Sequence, residues 1–414
     1  MTQSPEMVRR CLRCSKEFLP SSPVWTCTDC GGNLEVLYDY GSIQKEFSRE
    51  ALAGSADRTM WRYRPLLPVG DGARLPELEV GGTPLYRAST LGERFGCRQL
   101  YLKDDGRNPT GSLKDRASAL AVTDARTTGR SVLACASTGN AASALAGLCA
   151  SAGLQSVIFV PEATPSGKLA QILAFGAYLI RVKGIYDEAF DLCASACERF
   201  GWYNRNTGTN PYLTEGKKTV AFEIAEQLGW RAPDWVFVPV GDGNIIGSVG
   251  KGFQELVTLG WIENLPRLVA VQAEGSSAIA SVLLEGGPLR AATGRTLADG
   301  IAVALPRDPD RAIRAVRASN GAAVIVTDSA LLDAQELLAR STGVFVEPAA
   351  AASLAGLLRL SEDGRVAENE SVVLLLTGTG LKSPNAILDR ASLPEPLPAD
   401  LAALEGRLRE RPLG

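Results

Sequence analysis

The chain has 414 residues, 45% hydrophobic and 21% charged, ordinary proportions for a globular protein of about two or three domains. Its 43 Lys+Arg nearly balance 46 Asp+Glu, a net charge of −3, so no basic face points to nucleic acid, and its apolar runs, such as Val372 to Leu376, are too short to span a bilayer. Histidine is absent, which removes Ser-His-Asp and Cys-His nucleophiles, His-bound metals and histidine bases, and leaves proton transfer to Lys, Asp, Glu, Tyr, Ser/Thr or a cofactor.

At the N-terminus, Met1-Thr2-Gln3-Ser4-Pro5 lacks the apolar core of a secretion signal, and a cytoplasmic protein is expected. Cys11-x2-Cys14 and Cys27-x2-Cys30 follow, twelve residues apart, with Gly31-Gly32 after the second pair. That spacing suits four thiolates around one Zn²⁺, and four cysteine ligands leave no open position, so the expected metal is structural. The alternative is a ribbon of unliganded thiols. The other five cysteines (Cys97, Cys135, Cys149, Cys193, Cys197) lie in apolar or helical surroundings and read as small core residues.

From Leu37 to about Arg94 the pattern is a linker and lead-in segment. Trp61-Arg62-Tyr63-Arg64-Pro65 should supply an aromatic anchor, and Gly81-Gly82-Thr83-Pro84-Leu85 a turn into a strand. The short apolar run Leu100-Tyr101-Leu102-Lys103 then leads through Asn108-Pro109-Thr110-Gly111-Ser112-Leu113 to Lys114, at the mouth of an alanine-rich helical pattern, Arg116 to Val122. A lysine held at a helix N-terminus in a partly desolvated pocket can act as a neutral amine and bond covalently to a carbonyl carbon. Taken alone, a lysine after a turn is more often a solvated charge.

Beyond Leu100, strands predicted at Ser131-Cys135, Ser156-Val160, Tyr178-Val182, Trp235-Val240, Leu268-Ala273, Ala322-Thr327 and Ser371-Thr377 alternate with helical patterns. The helices are expected at Asn140-Ala152, Ser166-Phe175, Tyr186-Phe200, Lys218-Leu228, Ile245-Leu259, Pro309-Ala318, Ala330-Ser341 and Pro348-Leu360. This alternation predicts an α/β fold, two parallel-sheet, three-layer domains split near residue 205 and flanking a cleft, behind the small N-terminal ribbon. The expected division is a ribbon over 1–36, a larger domain over 37–95 and 206–398, a smaller one over 96–205, and a C-terminal amphipathic helix over 399–414.

Ligands collect at the carboxyl ends of strands in open α/β sheets, and the turns there have unusual composition. Ser137-Thr138-Gly139-Asn140 opens a helix with hydroxyls and free amides suited to a carboxylate. Gly241-Asp242-Gly243-Asn244-Ile245 opens another and reads as a phosphate cradle; without a third glycine it is not a dinucleotide fingerprint. Thr377-Gly378-Thr379-Gly380 and Glu347-Pro348-Ala349 follow two further strands. Each could be an ordinary turn or cap. A lysine, a phosphate cradle and a hydroxyl turn together match an aldehyde cofactor with a phosphate tail and a ring nitrogen, pyridoxal 5′-phosphate.

The segments Asn108–Arg116, Ser137–Asn140, Asn210–Thr219, Val238–Asn244, Glu347–Ala349 and Leu376–Lys382 resemble those of threonine synthase-type members of the tryptophan-synthase-β (fold type II) family of pyridoxal-phosphate enzymes. The resemblance implies that Lys114 is the covalent anchor of the cofactor and the principal base. It implies that Asn140 meets the ring's phenolic oxygen, that Gly241, Asp242, Gly243, Asn244 and Ile245 hold the cofactor phosphate, and that Thr377 faces the pyridine nitrogen. Ser137, Thr138 and Gly139 would take the substrate carboxylate, with Lys218 as a further substrate-binding residue. It also implies a homodimer.

Two positions depart from that pattern. Where relatives carry an arginine toward the substrate phosphate stands Leu213, with Lys217, Lys218, Arg116 and Arg205 as possible substitutes, each a surface charge unless it lines the cleft. The turn Leu297-Ala298-Asp299-Gly300-Ile301 reads more like threonine and serine dehydratases. The expected reaction is conversion of O-phospho-L-homoserine and water to L-threonine and phosphate. The alternatives are threonine or serine deamination, or β-replacement on phosphoserine, all acting on a small amino acid. A reading from another class, a nucleic-acid- or protein-binding ribbon with a vestigial α/β domain, lacks the interleaved basic and aromatic residues it needs.

Overall fold

A computed structural model describes residues 7–22, 24–391 and 393–410. Positions 1–6 of the expected ribbon and 411–414 of the expected terminal helix lie outside them, as do 23 and 392. The ribbon is a three-stranded antiparallel sheet of β1 (Met7–Cys11), β2 (Glu17–Phe18) and β3 (Leu34–Tyr38), in the order β2-β1-β3. Short helices, Tyr40–Glu46, Arg49–Ala53 and Ser89–Arg94, occupy the stretch read as a linker. Asp39 and Ser48 cap the first two, accepting from the amides of Ser42 and Ala51. Trp61 and Tyr63 are buried as the expected aromatic anchor.

The chain enters a larger sheet through β4 (Leu85–Arg87) and β5 (Gln99–Asp104), and leaves it for β6 (Val132–Ala136), β7 (Gln155–Pro161), β8 (Tyr178–Val182) and β9 (Tyr203–Asn204). It returns with β10 (Trp235–Pro239), β11 (Arg267–Ala273), β12 (Ala322–Val326) and β13 (Ser371–Leu376). The larger sheet has six strands in the order β12-β11-β10-β13-β5-β4, parallel except at β4; the smaller has four, β8-β7-β6-β9, all parallel.

The split near residue 205 is therefore where the chain changes sheets, but the expected boundary at 96 is displaced. β5 pairs in parallel with β13, Leu102 opposite Leu374, so it belongs to the larger sheet, and the smaller sheet starts at β6. The reason is burial. Leu100 and Leu102 of β5 pack in one core with Trp235 and Phe237 of β10 and Val372 and Leu374 of β13, under the helix Pro348–Glu362. The alternate residues, Val236, Val238, Val373 and Leu375, face a second core beneath the helices Tyr212–Gln227 and Asn244–Thr258. Both faces of these strands are covered, as a parallel sheet requires.

The helix expected at Lys218–Leu228 runs from Tyr212 to Gln227. Asn210 accepts from the Tyr212 amide at 2.9 Å and Pro211 presets the entry, so the helix starts six residues early. At Gly216 it crosses the helix Lys114–Thr127 so closely that a Cβ would lie 2.2 Å from the Arg116 carbonyl oxygen. Arg116 itself is fully buried, pairing with Asp105 at 2.7 Å and with Glu223, which Lys103 also meets at 2.6 Å. No helix among the described residues is long and apolar enough to cross a membrane.

Candidate active site

Parallel strands end on one side, and the turns after β5, β6, β10 and β13 line a single cleft of about 1720 Å³. Lys114, Ser137, Thr138, Gly139, Asn140, Gly241, Asp242, Gly243, Asn244, Ile245 and Thr377 all border it. Lys114 opens the helix Lys114–Thr127, and its loop is laced to the turn after β13. The Leu113 amide donates to the Thr377 carbonyl at 2.9 Å, and Ser112 bridges to Gly378. Asp115 accepts from the Thr110 amide at 2.7 Å, closing the loop behind the lysine. Burial first, then the Arg205 guanidinium, lowers the Lys114 pKa, against Glu347 and Asp242.

Asn140 begins the helix Asn140–Ala152, directly after the Ser137–Gly139 turn. Its amide nitrogen meets both carboxylate oxygens of Glu347 at 2.9 Å. Glu347 was legible as part of a helix start but not as a member of the site. Buried, with its carboxyl held above the usual range by that burial, it orients Asn140 across the cleft.

In the expected phosphate cradle, Gly243 has φ +91°, and a Cβ there would strike the Asp308 carbonyl at 2.7 Å, so only glycine fits. The helix Asn244–Thr258 starts at once, aiming its first amides at the cleft. The Asp242 side chain accepts from the Arg307 amide at 3.1 Å, and burial raises its carboxyl. Asn244 donates to Thr214 at 3.1 Å and Asp308 at 2.7 Å, and accepts from Lys217 Nζ.

The candidate cations sort differently from expectation. Lys218 does not border the cleft: it is buried against Glu215 and Glu255, 2.6 and 2.7 Å away, over the Tyr38 ring. One residue is about 100° of helix, and with the helix begun at Tyr212 it is Lys217 that faces the cleft. Arg116 is consumed by its ion pairs, and Leu213 packs in the core beneath the larger sheet. Arg205 and Lys217 border the cleft, buried rather than solvated, and pair with no carboxylate among the described residues. Arg205 donates from Nε to Ser118 at 3.1 Å, while its Nη2 is buried with no hydrogen-bond partner among the described residues. Burial, then Lys114 and Arg205, keeps the Lys217 pKa far below the ordinary lysine value.

Across the mouth, Lys168 of the smaller unit meets Asp299 of the dehydratase-like turn at 2.8 Å. In the ribbon, the sulfurs of Cys11, Cys14, Cys27 and Cys30 lie within 4.8 Å of one another, Cys11 and Cys30 being 3.4 Å apart. A Zn–S bond of about 2.3 Å gives a tetrahedral edge of about 3.8 Å, so this donor set suits zinc.

The chain belongs to the pyridoxal-phosphate dependent enzyme family, whose model matches residues 76–378. It is 39% identical to the threonine synthase of Methanocaldococcus jannaschii over 98% of this chain and 100% of that one. It is 40% identical to the threonine synthase of Mycobacterium tuberculosis over 84% and 94% of the two chains. Among solved structures, the processed form of threonine deaminase isoform 2 from Solanum lycopersicum matches with a TM-score of 0.65 and 24% identity, covering 75% of this chain and 88% of that one, a likeness of fold. The site fits the family's cofactor. A turn closed to any side chain at Gly243, the helix start behind it and a buried lysine of lowered pKa share one cleft.

Proposed function

We propose that the chain converts O-phospho-L-homoserine and water to L-threonine and phosphate. One observation carries this reading: Lys217 and Arg205 border one cleft with Lys114, and neither pairs there with a carboxylate among the described residues. Such a cluster suits two phosphates, the cofactor's and the substrate's, whereas threonine or serine brings none. Pyridoxal phosphate supplies an electrophilic carbon and an electron-withdrawing ring.

The chain's residues do the rest. Lys114, whose burial and neighbouring Arg205 favour the neutral amine, would anchor the cofactor and then take and return the proton at the substrate Cα. Ser137, Thr138 and the Gly139 amide hold the α-carboxylate at a helix start. Asn140, steadied by Glu347, would hold the phenolic oxygen of the cofactor. Thr377 offers the ring nitrogen a hydroxyl, which does not force it to stay protonated, as suits elimination. The amides of Gly241, Asp242, Gly243, Asn244 and Ile245 would hold the cofactor phosphate, with Lys217 beside them in the cleft lining. Arg205 takes the substrate phosphate in place of the arginine that Leu213 replaces, steadying the charge of the leaving group as the Cγ–O bond breaks. That departure requires Lys114 to take a proton from Cβ as well and to return it at Cγ, which becomes the methyl group; water then adds its hydroxyl at Cβ, and its remaining proton leaves with the phosphate.

Phosphate release from O-phospho-L-homoserine, measured against 2-oxobutanoate from threonine, tests the reading; inert phosphohomoserine with keto-acid production would sink it. The turn at Asp299, which borders the cleft, favours deamination as the second reading. Lys114→Ala should lose the visible band of lysine-bound cofactor. Zinc in the four-cysteine cluster, a cytoplasmic location and a homodimer complete the proposal. Exposed Leu393, Leu401 and Leu404 near the C-terminus support a contact between subunits.

A further inference from the structure

The ribbon reaches the cleft. Arg13, Thr26, Gly31 and Asn33 border it beside the Gly241–Ile245 turn, so the four-cysteine unit forms part of its wall. Asn33 is fixed from behind by the ribbon: its carbonyl accepts from the Leu12 amide at 3.0 Å, and it bridges to Thr26, next to Cys27. Its side-chain nitrogen donates forward to the Arg307 carbonyl at 2.9 Å and to Asp308 Oδ1 at 2.7 Å.

Asp308 joins Asn33 to the phosphate turn. Its other oxygen accepts from Asn244 Nδ2 at 2.7 Å and from Arg311 Nε at 2.9 Å, and Arg311 in turn reaches the Leu34 carbonyl at 2.8 Å. The Asp308 amide donates to the Asp242 carbonyl at 3.0 Å, so the strap 307–308 clasps the turn by backbone as well. With Nδ2 committed to Asp308 and Thr214, Asn244 has to present Oδ1 to Lys217. Asp308, Asn244 and Lys217 are all buried, where a lost partner is costly.

We infer that Asn33 is a positioning residue for the phosphate cradle. Acting through Asp308 and Asn244, it sets the place of Lys217 and of the amides at the start of the helix Asn244–Thr258, and so couples the order of the four-cysteine ribbon to affinity for a phosphate-bearing cofactor. The inference rests on the assignment of Gly241–Ile245 to the cofactor phosphate.

Apoprotein is titrated with pyridoxal 5′-phosphate, and separately with pyridoxal, which lacks the phosphate, following the visible band. Asn33→Ala should bind pyridoxal phosphate about tenfold more weakly than wild type and pyridoxal equally well. The double variant Asn33→Ala/Asp308→Asn should be no weaker than Asp308→Asn alone, since both cut the same relay. Lys16→Ala, which breaks an exposed ribbon pair with Asp29 outside the cleft lining, should bind like wild type. Unchanged affinity in Asn33→Ala, an equal loss for pyridoxal, losses that multiply in the double variant, or a matching defect in Lys16→Ala would each overturn the inference. Wild-type protein that takes up no pyridoxal phosphate would instead overturn the cradle assignment.

Discussion

In the proposed reaction Lys114 acts as a neutral amine, and its neighbours decide the pH at which that form exists. Burial lowers its pKa, the Arg205 cation lowers it further, and Glu347 and Asp242 oppose both. Covalent uptake of the cofactor should therefore quicken as pH rises and level off below 10.5, the ordinary lysine value. Arg205→Gln removes a repelling charge, raises the lysine pKa and should move that limb to higher pH, as read from absorbance against time. A limb that stays in place would uncouple the two groups. The same variant should raise KM for O-phospho-L-homoserine about 10- to 100-fold, the worth of a hydrogen bond to a charged group, and keep its affinity for pyridoxal phosphate. An unchanged KM would remove Arg205 from the substrate phosphate.

The helix Tyr212–Gln227 sends polar residues in two directions. Lys217 reaches the cleft, while Glu223 lies beneath Arg116 and Lys103 in the core. The two cations hold the Glu223 carboxylate in its charged form, burial opposing them and raising its pKa, with the net shift downward. Glu223→Gln keeps the shape but leaves two buried cations short of their counterion, which should cost about 3–5 kcal/mol of stability in denaturant unfolding. A loss below about 1 kcal/mol would mean that the network reorganises. Because Arg116 lies two residues beyond Lys114, that variant should also weaken cofactor retention. This helix was half legible. Its hydrophobic pattern was plain from Lys218 on, but the polar first turn, Tyr212–Lys217, reads as a loop until Asn210 and Pro211 are seen as its cap.

At the scale of the molecule, two sheets and a ribbon enclose one cleft, and the ribbon is part of its wall. Purified protein should hold one zinc per chain by elemental analysis, and Cys27→Ser should lose it; metal-free wild-type protein with four reduced thiols would overturn the zinc proposal. The α/β alternation, the sheet exchange near residue 205 and the four convergent turns were readable because each is written in contiguous residues: strand, then turn, then helix. The same holds for Lys114 and the cysteine pairs.

The sequence by itself pointed to the chemistry, through a lysine at a helix mouth, a glycine turn read as a phosphate cradle and a hydroxyl turn read as a carboxylate site in a chain without histidine, because strand-end turns carry their signal in local composition. Only the tertiary structure decided that Lys217 rather than Lys218 faces the cleft, that Arg116 is spent on Asp105 and Glu223, that β5 belongs to the larger sheet, and that Asn33 touches the strap over the phosphate turn. Those facts depend on which face of a helix is buried and on contacts between residues up to 275 positions apart, which no local pattern encodes.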